Sequence, residues 1–271
     1  MSFASPAPLK GKNILVTGGS RGIGAAIVKH LADLGARIAF TYSSNKNLAE
    51  VVLSSLPGEG HFIQSMDLSK PESIEESMKV ILKTFGTIDG LVNNAGVTKD
   101  QILLLMKLED FESVINTNLR GTFLVTKSVL RPMLKAQKGS VVTITSVIGQ
   151  TGNGGQANYA ASKAGLEAFS KSVAQEVFIQ GITEDGKTFR PSDWAERLAG
   201  VMSPFRPGGA TPGSHLSYSP WCIPTTLGGI KCVVVHRDLR EYNVMAWDFA
   251  MNFARDNGLQ LAEVCLLPDP S

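Results

Sequence analysis

Short apolar runs that end in turn residues alternate with longer amphipathic patterns through the first part of the chain. Alternating strands and helices build a parallel sheet that helices cover on both faces. The pattern therefore predicts an α/β fold with a Rossmann-like, doubly wound parallel sheet. The expected strands are NILVTG (13–18), RIAFTY (37–42), GHFIQSMD (60–67), DGLVNNAG (89–96) and SVVTITS (140–146). The helical patterns between them, with apolar residues three and four apart, cover 25–35, 72–86 and 111–134.

The first expected strand runs directly into TGGSRGIG (17–24), and a helical pattern comes next. Its glycines allow a tight turn and a close approach to a pyrophosphate, whose charge is bound by free N–H groups at the helix start. A purely structural turn is the alternative, but the strand-turn-helix order argues against it. The loop residues predicted to bind a dinucleotide are Gly18, Ser20, Arg21, Gly22, Ile23 and Gly24.

The residues after the second expected strand indicate which dinucleotide is bound. An NAD site places a carboxylate there, against the ribose 2′-hydroxyl. This chain has Thr41, Tyr42, Ser43 and Ser44 instead. No acid repels a 2′-phosphate and Arg21 can attract one, so NADP(H) is predicted. The alternative for Arg21 is an ordinary solvated surface charge.

Tyr159 and Lys163 are four residues apart in NYAASKAG, which places them on one face of a helix. A nearby ammonium favours the phenolate and makes the tyrosine a plausible acid/base at neutral pH. Ser146 ends the fifth expected strand, at the edge of the sheet where ligands of such folds bind, so its hydroxyl could hold a substrate carbonyl. Each residue alone is more often structural, but the combination favours catalysis.

These motifs, together with NNAG (93–96) and the Asn118 of NTNLRGTF, resemble the short-chain dehydrogenase/reductase family over about residues 9–177. The run GNGGQANYAASKAGL is similar to bacterial members that reduce 3-oxoacyl thioesters of acyl carrier protein. The resemblance implies NADPH-dependent reduction to the 3-hydroxyacyl thioester in fatty acid biosynthesis. Acyl carrier protein, or a small acyl thioester, is the implied partner.

The resemblance also implies roles for single residues. Tyr159 would be the proton donor, and Lys163 would modify its pKa and bind the ribose. Ser146 would orient the carbonyl, and Asn118 would anchor a water relay to the lysine. The further residues implied along the cofactor are Asp67, Leu68, Asn94, Ala95 and Gly96.

The chain changes character beyond the tyrosine helix. All three tryptophans and all three cysteines lie after residue 190. The strands and the substrate lid that continue the family fold do not come next, so the chain has the character of a chimera. We predict two domains, an NADP-binding reductase domain at 1–177 and a small α+β domain of unknown function at 178–271.

The second domain has its own order of predicted elements. FIQGIT, a helix DWAERLAGVM capped by Ser192, WCIPTT, IKCVVVH, a helix in EYNVMAWDFAMNFARDNG and LQLAEVCLL form a β-α-β-β-α-β series, compatible with a ferredoxin-like fold. ITEDGKTFRPSDWAERL resembles an uncharacterised family of small proteobacterial proteins, which implies a fold but no chemistry.

Charge and composition exclude other classes. The formal charge of +2 comes from 26 basic and 24 acidic residues mixed along the chain, which argues against a nucleic-acid partner. The N-terminal MSFASPAPLKGK lacks the apolar run of a secretory signal and no window is long enough to cross a bilayer, so a cytoplasmic protein without a membrane partner is expected. Cys222, Cys232 and Cys265 match no metal-ligand spacing and are expected to be free thiols, with no metal site.

Two functions remain open. The first is an active NADPH-dependent reductase. The second is a non-catalytic fusion with residual nucleotide binding, whose C-terminal domain acts as an interaction module. Lys135 and Lys138 could meet an acidic carrier protein, although exposed lysines are ordinarily only solvated. A homo-oligomer is compatible with either function.

Overall fold

The structure is a computed structural model that describes residues 7–136, 138–209 and 217–263. Its contacts divide the chain into two compact units, Met1–Ser170 and Lys171–Ser271. The domain boundary expected after residue 177 lies seven residues beyond this division, and it stays a prediction. Within the described residues no helix is both long and apolar enough to span a membrane.

The first unit contains a parallel sheet in the order β3-β2-β1-β4-β5. The direction of winding reverses between β1 and β4, so a crevice opens at the carboxyl ends of these two strands. This order confirms the predicted doubly wound sheet. The strands are β1 (Asn13–Val16), β2 (Arg37–Tyr42), β3 (Phe62–Ser65), β4 (Gly90–Asn93) and β5 (Ser140–Thr143).

Two apolar clusters pack on the two faces of this sheet. Alternate residues of a strand point to opposite faces, so Leu15 of β1 joins one cluster while Ile14 and Val16 join the other. The first cluster includes α3 and α5, and the second includes α1 and α2. The helices of this unit are α1 (Gly22–Asp33), α2 (Lys46–Ser54), α3 (Pro71–Phe85), α4 (Leu108–Val114), α5 (Gly121–Ala136), α6 (Ile148–Thr151) and α7 (Ala157–Ala174).

The helical pattern expected over 111–134 is not one regular helix. A π-helical turn at Ile115–Arg120 separates α4 from α5. Such wider turns occur frequently at functional sites, because they redirect side chains that a regular helix would place elsewhere. The short helices α2 and α6 have no counterpart in the expected pattern.

The second unit contains an antiparallel sheet in the order β7-β8-β6-β9. Its strands are β6 (Glu176–Thr183), β7 (Cys222–Leu227), β8 (Ile230–His236) and β9 (Leu259–Glu263). Its helices are α8 (Trp194–Val201), α9 (Asp238–Tyr242) and α10 (Val244–Asp256). The β-α-β-β-α-β series places β8 between β6 and β7, as in the ferredoxin-like split βαβ unit. One core joins α8 and α10 to Ile179, Val233 and Val235 of the sheet.

Two local expectations in this unit were wrong. The residue that caps α8 is Asp193, not Ser192, and it makes no side-chain capping hydrogen bond. The single helix expected through EYNVMAWDFAMNFARDNG is interrupted at Asn243, whose side chain caps α10 by accepting the N–H of Ala246 at 2.9 Å. A residue that favours capping therefore starts a new helix inside an apparently continuous amphipathic pattern.

Candidate active site

The loop between β1 and α1 is shaped by its glycines. Gly18 and Gly22 have φ angles of 69° and 55°, in the left-handed region that residues with a side chain rarely adopt. A Cβ placed on Gly24 would lie 2.1 Å from the carbonyl oxygen of Gly18 and 2.5 Å from Nδ2 of Asn94. Because the nearer atom belongs to the backbone and the Asn94 amide is held by hydrogen bonds to two carbonyl oxygens, this position accepts only glycine.

Asn94 and Thr17 hold the loop against the end of β4. The Asn94 Nδ2 donates to the carbonyl oxygens of Thr17 and Gly18, at 3.0 Å each. The Thr17 Oγ1 accepts the backbone N–H groups of Asn94 and Ala95 at 3.0 and 3.1 Å. Sequence reasoning missed Thr17, although its position at the start of TGGSRGIG was a usable signal. These four bonds join the two strands that border the crevice.

A cavity of about 570 Å³ opens at this crevice. Except for Tyr159 and Lys163, it is lined by all the residues predicted to bind the cofactor, namely Gly18, Ser20, Arg21, Gly22, Ile23, Gly24, Asp67, Leu68, Asn94, Ala95 and Gly96. Thr41, Tyr42, Ser43, Ser44 and Asn45 line it at the end of β2. A glycine cradle at the start of α1, within a cavity that also reaches the ends of β2, β3 and β4, fits a dinucleotide, although its binding stays a prediction.

The charged groups of this cavity differ in how strongly they are engaged. The Asp67 carboxylate accepts the N–H and the hydroxyl of Ser69 at 3.0 and 2.7 Å, and Lys70 Nζ lies 3.4 Å away. The Ser69 hydroxyl bond is the main cause that lowers the pKa of Asp67. The guanidinium of Arg21 is exposed and makes no hydrogen bond or ion pair to any described residue. It is available to an anion.

Tyr159 and Lys163 lie on one face of α7, as expected from their spacing. The Lys163 Nζ lies 5.7 Å from the centroid of the Tyr159 ring and donates a hydrogen bond of 2.7 Å to the carbonyl oxygen of Ile144. The lysine is only 4% exposed. Burial therefore lowers the pKa of Lys163. The arrangement places a desolvated ammonium beside a half-buried phenol.

Ser146 follows β5 at the carboxyl edge of the sheet. Its Oγ accepts the backbone N–H of Ile148 at 3.3 Å, a bond that leaves the hydroxyl proton available to a substrate oxygen. The side chain is half-buried. Lys163 of α7 donates its hydrogen bond to the carbonyl of Ile144, which is two residues before Ser146. The first turns of α7 therefore lie at the same carboxyl edge of the sheet as Ser146.

Asn118 lies in the π-helical turn and is completely buried. Its Oδ1 accepts the N–H of Val97 at 2.8 Å, and its Nδ2 donates to the Val97 carbonyl at 3.0 Å and to Ser162 Oγ at 3.1 Å. All of its side-chain bonds are thus to the segment after β4 and to α7. The structure shows Asn118 as the connection between these elements.

Two polar residues of α7 were missed by sequence reasoning. Asn158 and Ser162 are both completely buried. The Asn158 Nδ2 donates to the Lys99 carbonyl at 2.8 Å, and the Ser162 hydroxyl donates to the Tyr159 carbonyl at 2.8 Å. Their spacing of four residues, one position before Tyr159 and Lys163, was the available signal. They orient the helix that carries the tyrosine and the lysine.

Gly96 relates the cavity to α7. A Cβ placed on this residue would lie 3.3 Å from Asn118 Oδ1 and 3.8 Å from Lys163 Nζ. Ser146, Asn118, Tyr159 and Lys163 are not among the residues that line the cavity. Lys163 nevertheless lies next to the cavity, because Gly96 both lines the cavity and is close to the Lys163 ammonium.

The model of the short chain dehydrogenase family matches residues 12–184. The chain belongs to the short-chain dehydrogenase family. The matched residues contain the whole parallel sheet, the glycine loop and α7. A second model, described as a protein of unknown function (DUF3579), matches residues 173–264, which contain the antiparallel unit. The two matches overlap where β6 begins.

The curated relatives are similar to the first part of this short-chain dehydrogenase. The 3-oxoacyl-(acyl-carrier-protein) reductase of Escherichia coli is 48% identical over 174 residues, which are 64% of this chain and 70% of the relative. The enzyme of the same name from Vibrio cholerae is 45% identical over 175 residues, 65% and 71% of the two chains. The Synechocystis enzyme is 42% identical over 189 residues, 68% and 76%.

Proposed function

We propose that this chain reduces the ketone of a 3-oxoacyl thioester, carried by acyl carrier protein, to the 3-hydroxyacyl thioester with NADPH, a step of fatty acid biosynthesis in the cytoplasm. The observation that carries the proposal is the Lys163 Nζ at 5.7 Å from the Tyr159 ring, beside Gly96 of the cavity wall. The names of the relatives support the substrate class.

The residues of the site divide the chemistry among them. When bound, NADPH supplies the hydride that reduces the ketone. The Ser146 hydroxyl donates a hydrogen bond to the carbonyl oxygen and stabilises the charge that develops there. Tyr159 donates its phenolic proton to this oxygen. The Lys163 ammonium favours the resulting phenolate, and Asn118 and Ser162 hold the helix that presents both groups.

The choice of NADPH over NADH rests on charge. The end of β2 contributes hydroxyl and amide side chains to the cavity and no carboxylate. Arg21, exposed at the start of α1, can form a bidentate pair with a 2′-phosphate. A ribose 2′-hydroxyl alone would leave this arginine unused.

Lys138, one of the two lysines considered for carrier docking, does not support that part of the proposal. Lys138 Nζ lies 2.9 Å from Asp89 Oδ1, just before β5 begins. It therefore lies at the amino-terminal edge of the parallel sheet, whereas ligands of such sheets bind at the carboxyl edge. A carrier protein that delivers its thioester to Tyr159 would have to contact other residues.

One observation favours the second function, a non-catalytic protein that binds the nucleotide. The family match ends at residue 184, and the chain covers 70% of the E. coli relative. The antiparallel unit begins with β6 at Glu176, inside the last matched residues, and takes the place of the strands and the substrate lid that the family resemblance implies. In this case the glycine loop binds NADPH but the substrate is not reduced.

Steady-state turnover separates the two functions. NADPH absorbance is followed with acetoacetyl thioesters for the wild type, Tyr159→Phe and, as a matched control on an exposed tyrosine, Tyr218→Phe. We expect activity in the wild type and the control and its loss in Tyr159→Phe. Equal rates in all three would contradict catalysis by this site. A fluorescence titration with NADPH then shows whether binding occurs without turnover, as the second function requires.

A further inference from the structure

The second unit contains a cavity of its own, with a volume of about 370 Å³. It lies between α8, α10 and the segment that precedes α8. Its lining residues are Phe189, Arg190, Pro191, Trp194, Arg197, Leu198, Val201, Phe249, Phe253 and Asn257. Cavities larger than about 300 Å³ that are lined by apolar and aromatic side chains and a few polar groups are typical binding sites for small molecules.

The helical lining follows from the helix period. On α8 the lining residues recur at 194, 197, 198 and 201, which is one face of a helix. On α10 they recur every four residues, at 249, 253 and, just past its end, 257. The cavity is therefore a groove between two helix faces and not an irregular surface depression.

Three aromatic rings pack against one another along the groove. Trp194 and Phe253 stack with an interplanar angle of 16° and a centroid distance of 6.0 Å. Phe189 meets Trp194 edge-on at 5.7 Å and Phe253 at 6.1 Å. Trp194 is buried, whereas Phe249 and Val201 at the rim are 48% and 59% exposed. The groove thus offers a pre-formed apolar wall with an open, apolar rim.

Charge distinguishes this groove from a plain apolar patch. Arg190 and Arg197 both line it, and among the residues that the structure describes no carboxylate lines it. Neither guanidinium has a hydrogen-bond or ion-pair partner within the described part of the chain. Glu196, the acidic residue of α8, is next to Arg197 in the sequence, but it forms an ion pair with Lys231. Two arginines without such a partner therefore line the same groove as the three aromatic rings.

We propose that this groove binds a small amphipathic carboxylic acid. Its aromatic or alkyl body packs against Trp194, Phe249 and Phe253, and its carboxylate pairs with Arg190 and Arg197. The planar guanidinium matches a carboxylate with two parallel hydrogen bonds and tolerates contact with aromatic rings. The proposal concerns the second unit alone and does not depend on the reductase function.

The test uses the full chain and two probes with the same body. The probes are 4-phenylbutyrate and its uncharged counterpart 4-phenylbutan-1-ol, followed through tryptophan fluorescence and by calorimetry. We expect saturable binding of the acid with a Kd on the order of 1 mM or tighter and weaker binding of the alcohol by about tenfold. Arg190→Ala and Arg197→Ala should each weaken the acid by about tenfold and leave the alcohol unchanged.

The controls make every outcome informative. Arg240→Ala, a change of an exposed arginine on α9, should bind both probes like the wild type. Because Arg190 and Arg197 are exposed, their substitution leaves the core intact, which circular dichroism verifies. Equal affinity for acid and alcohol, or unchanged affinity in both arginine variants, would overturn the proposal. So would the absence of saturable binding of 4-phenylbutyrate up to about 10 mM.

Discussion

The Nδ2 of Asn118 donates a hydrogen bond of 3.1 Å to the Oγ of Ser162, and neither side chain has any exposed surface. The bond joins the π-helical turn to α7, at the residue directly before Lys163. Ser162 in turn donates to the carbonyl of Tyr159 at 2.8 Å. A buried chain of polar groups therefore sets the position of the two residues proposed to move the proton.

Replacing Ser162 tests this chain of bonds. Ser162→Ala removes one of the two acceptors of the Asn118 Nδ2 group and the donor to the Tyr159 carbonyl, so we expect a loss of about 1–2 kcal/mol in the free energy of unfolding. If the hydroxyl positions α7, kcat falls more than the KM for NADPH rises. Urea unfolding and steady-state kinetics measure the two effects. Ser172→Ala, an exposed serine of the same helix, is the control and should change the stability by less than about 0.5 kcal/mol.

Replacing Gly24 tests whether the glycine loop binds the cofactor. Gly24→Ala forces a methyl group against the Gly18 carbonyl oxygen and Asn94, at an expected cost of about 1–3 kcal/mol and with loss of NADPH binding. Thermal unfolding and cofactor titration measure both. Gly200→Ala in α8 places its methyl group where, beyond the backbone of its own helix and its chain neighbours, no atom of the described residues lies within 4 Å, so it should stabilise the chain by about 0.5–1 kcal/mol. Wild-type cofactor affinity in Gly24→Ala would show that the loop is not the cradle.

The buried ammonium of Lys163 predicts a pH dependence of stability. Burial lowers its pKa below the ordinary value of 10.5. Between the lowered value and 10.5 the unfolded chain holds a proton that the native chain has released, so the free energy of unfolding rises with pH in that window. Below the window the cost of burying the charge is present in full.

Comparison with Lys163→Met isolates this contribution. We expect the stability of the wild type, measured relative to the variant, to increase as the pH rises towards 10.5. Urea unfolding at several pH values gives the difference. Lys171→Met removes an exposed lysine of α7 and is the control. Its stability should differ from that of the wild type by the same amount at each pH. Parallel curves for Lys163→Met and the wild type would mean that the lysine is not desolvated.

Arg21 should discriminate between the two nicotinamide cofactors. Arg21→Ala removes the partner proposed for the 2′-phosphate, so we expect about tenfold weaker NADPH binding and unchanged NADH binding. Fluorescence titration with both cofactors measures the ratio. Arg131→Ala, at an exposed arginine of α5, controls for net charge. Equal losses for NADPH and NADH would assign Arg21 to the shared pyrophosphate instead.

The cysteines of the second unit should be unreactive in the folded protein. Cys222 and Cys232 are free and buried, as expected for thiols, and burial raises the pKa of Cys222 to about 12. Cys265 lies outside the described residues. In a Cys265→Ser background, iodoacetamide at neutral pH should modify neither thiol until urea unfolds the chain, because the thiolate is the reactive form. Mass spectrometry before and after unfolding counts the modified residues, and rapid labelling of Cys222 in the native state would contradict its burial.

The fold of the first unit could be predicted because its signals are local. The strands β1, β2 and β5 begin at the first residue of the expected runs, since β-branched residues and turn residues mark them in the sequence alone. The interruption at Ile115–Arg120 could not be predicted. An amphipathic pattern records which residues are apolar, and a π-helical turn changes the direction of side chains without changing that pattern.

The sequence by itself determined the chemical groups of the site and the elements that carry them: the glycines after β1, Ser146 after β5, and Tyr159 with Lys163 on one helix face. Only the tertiary structure decided their partners, such as Ile144 for Lys163 and Ser162 for Asn118, and brought Arg190 and Phe253 to one groove. The physical reason is that periodicity is fixed by backbone geometry along a few residues, whereas partners depend on which distant faces pack together to remove apolar surface from water.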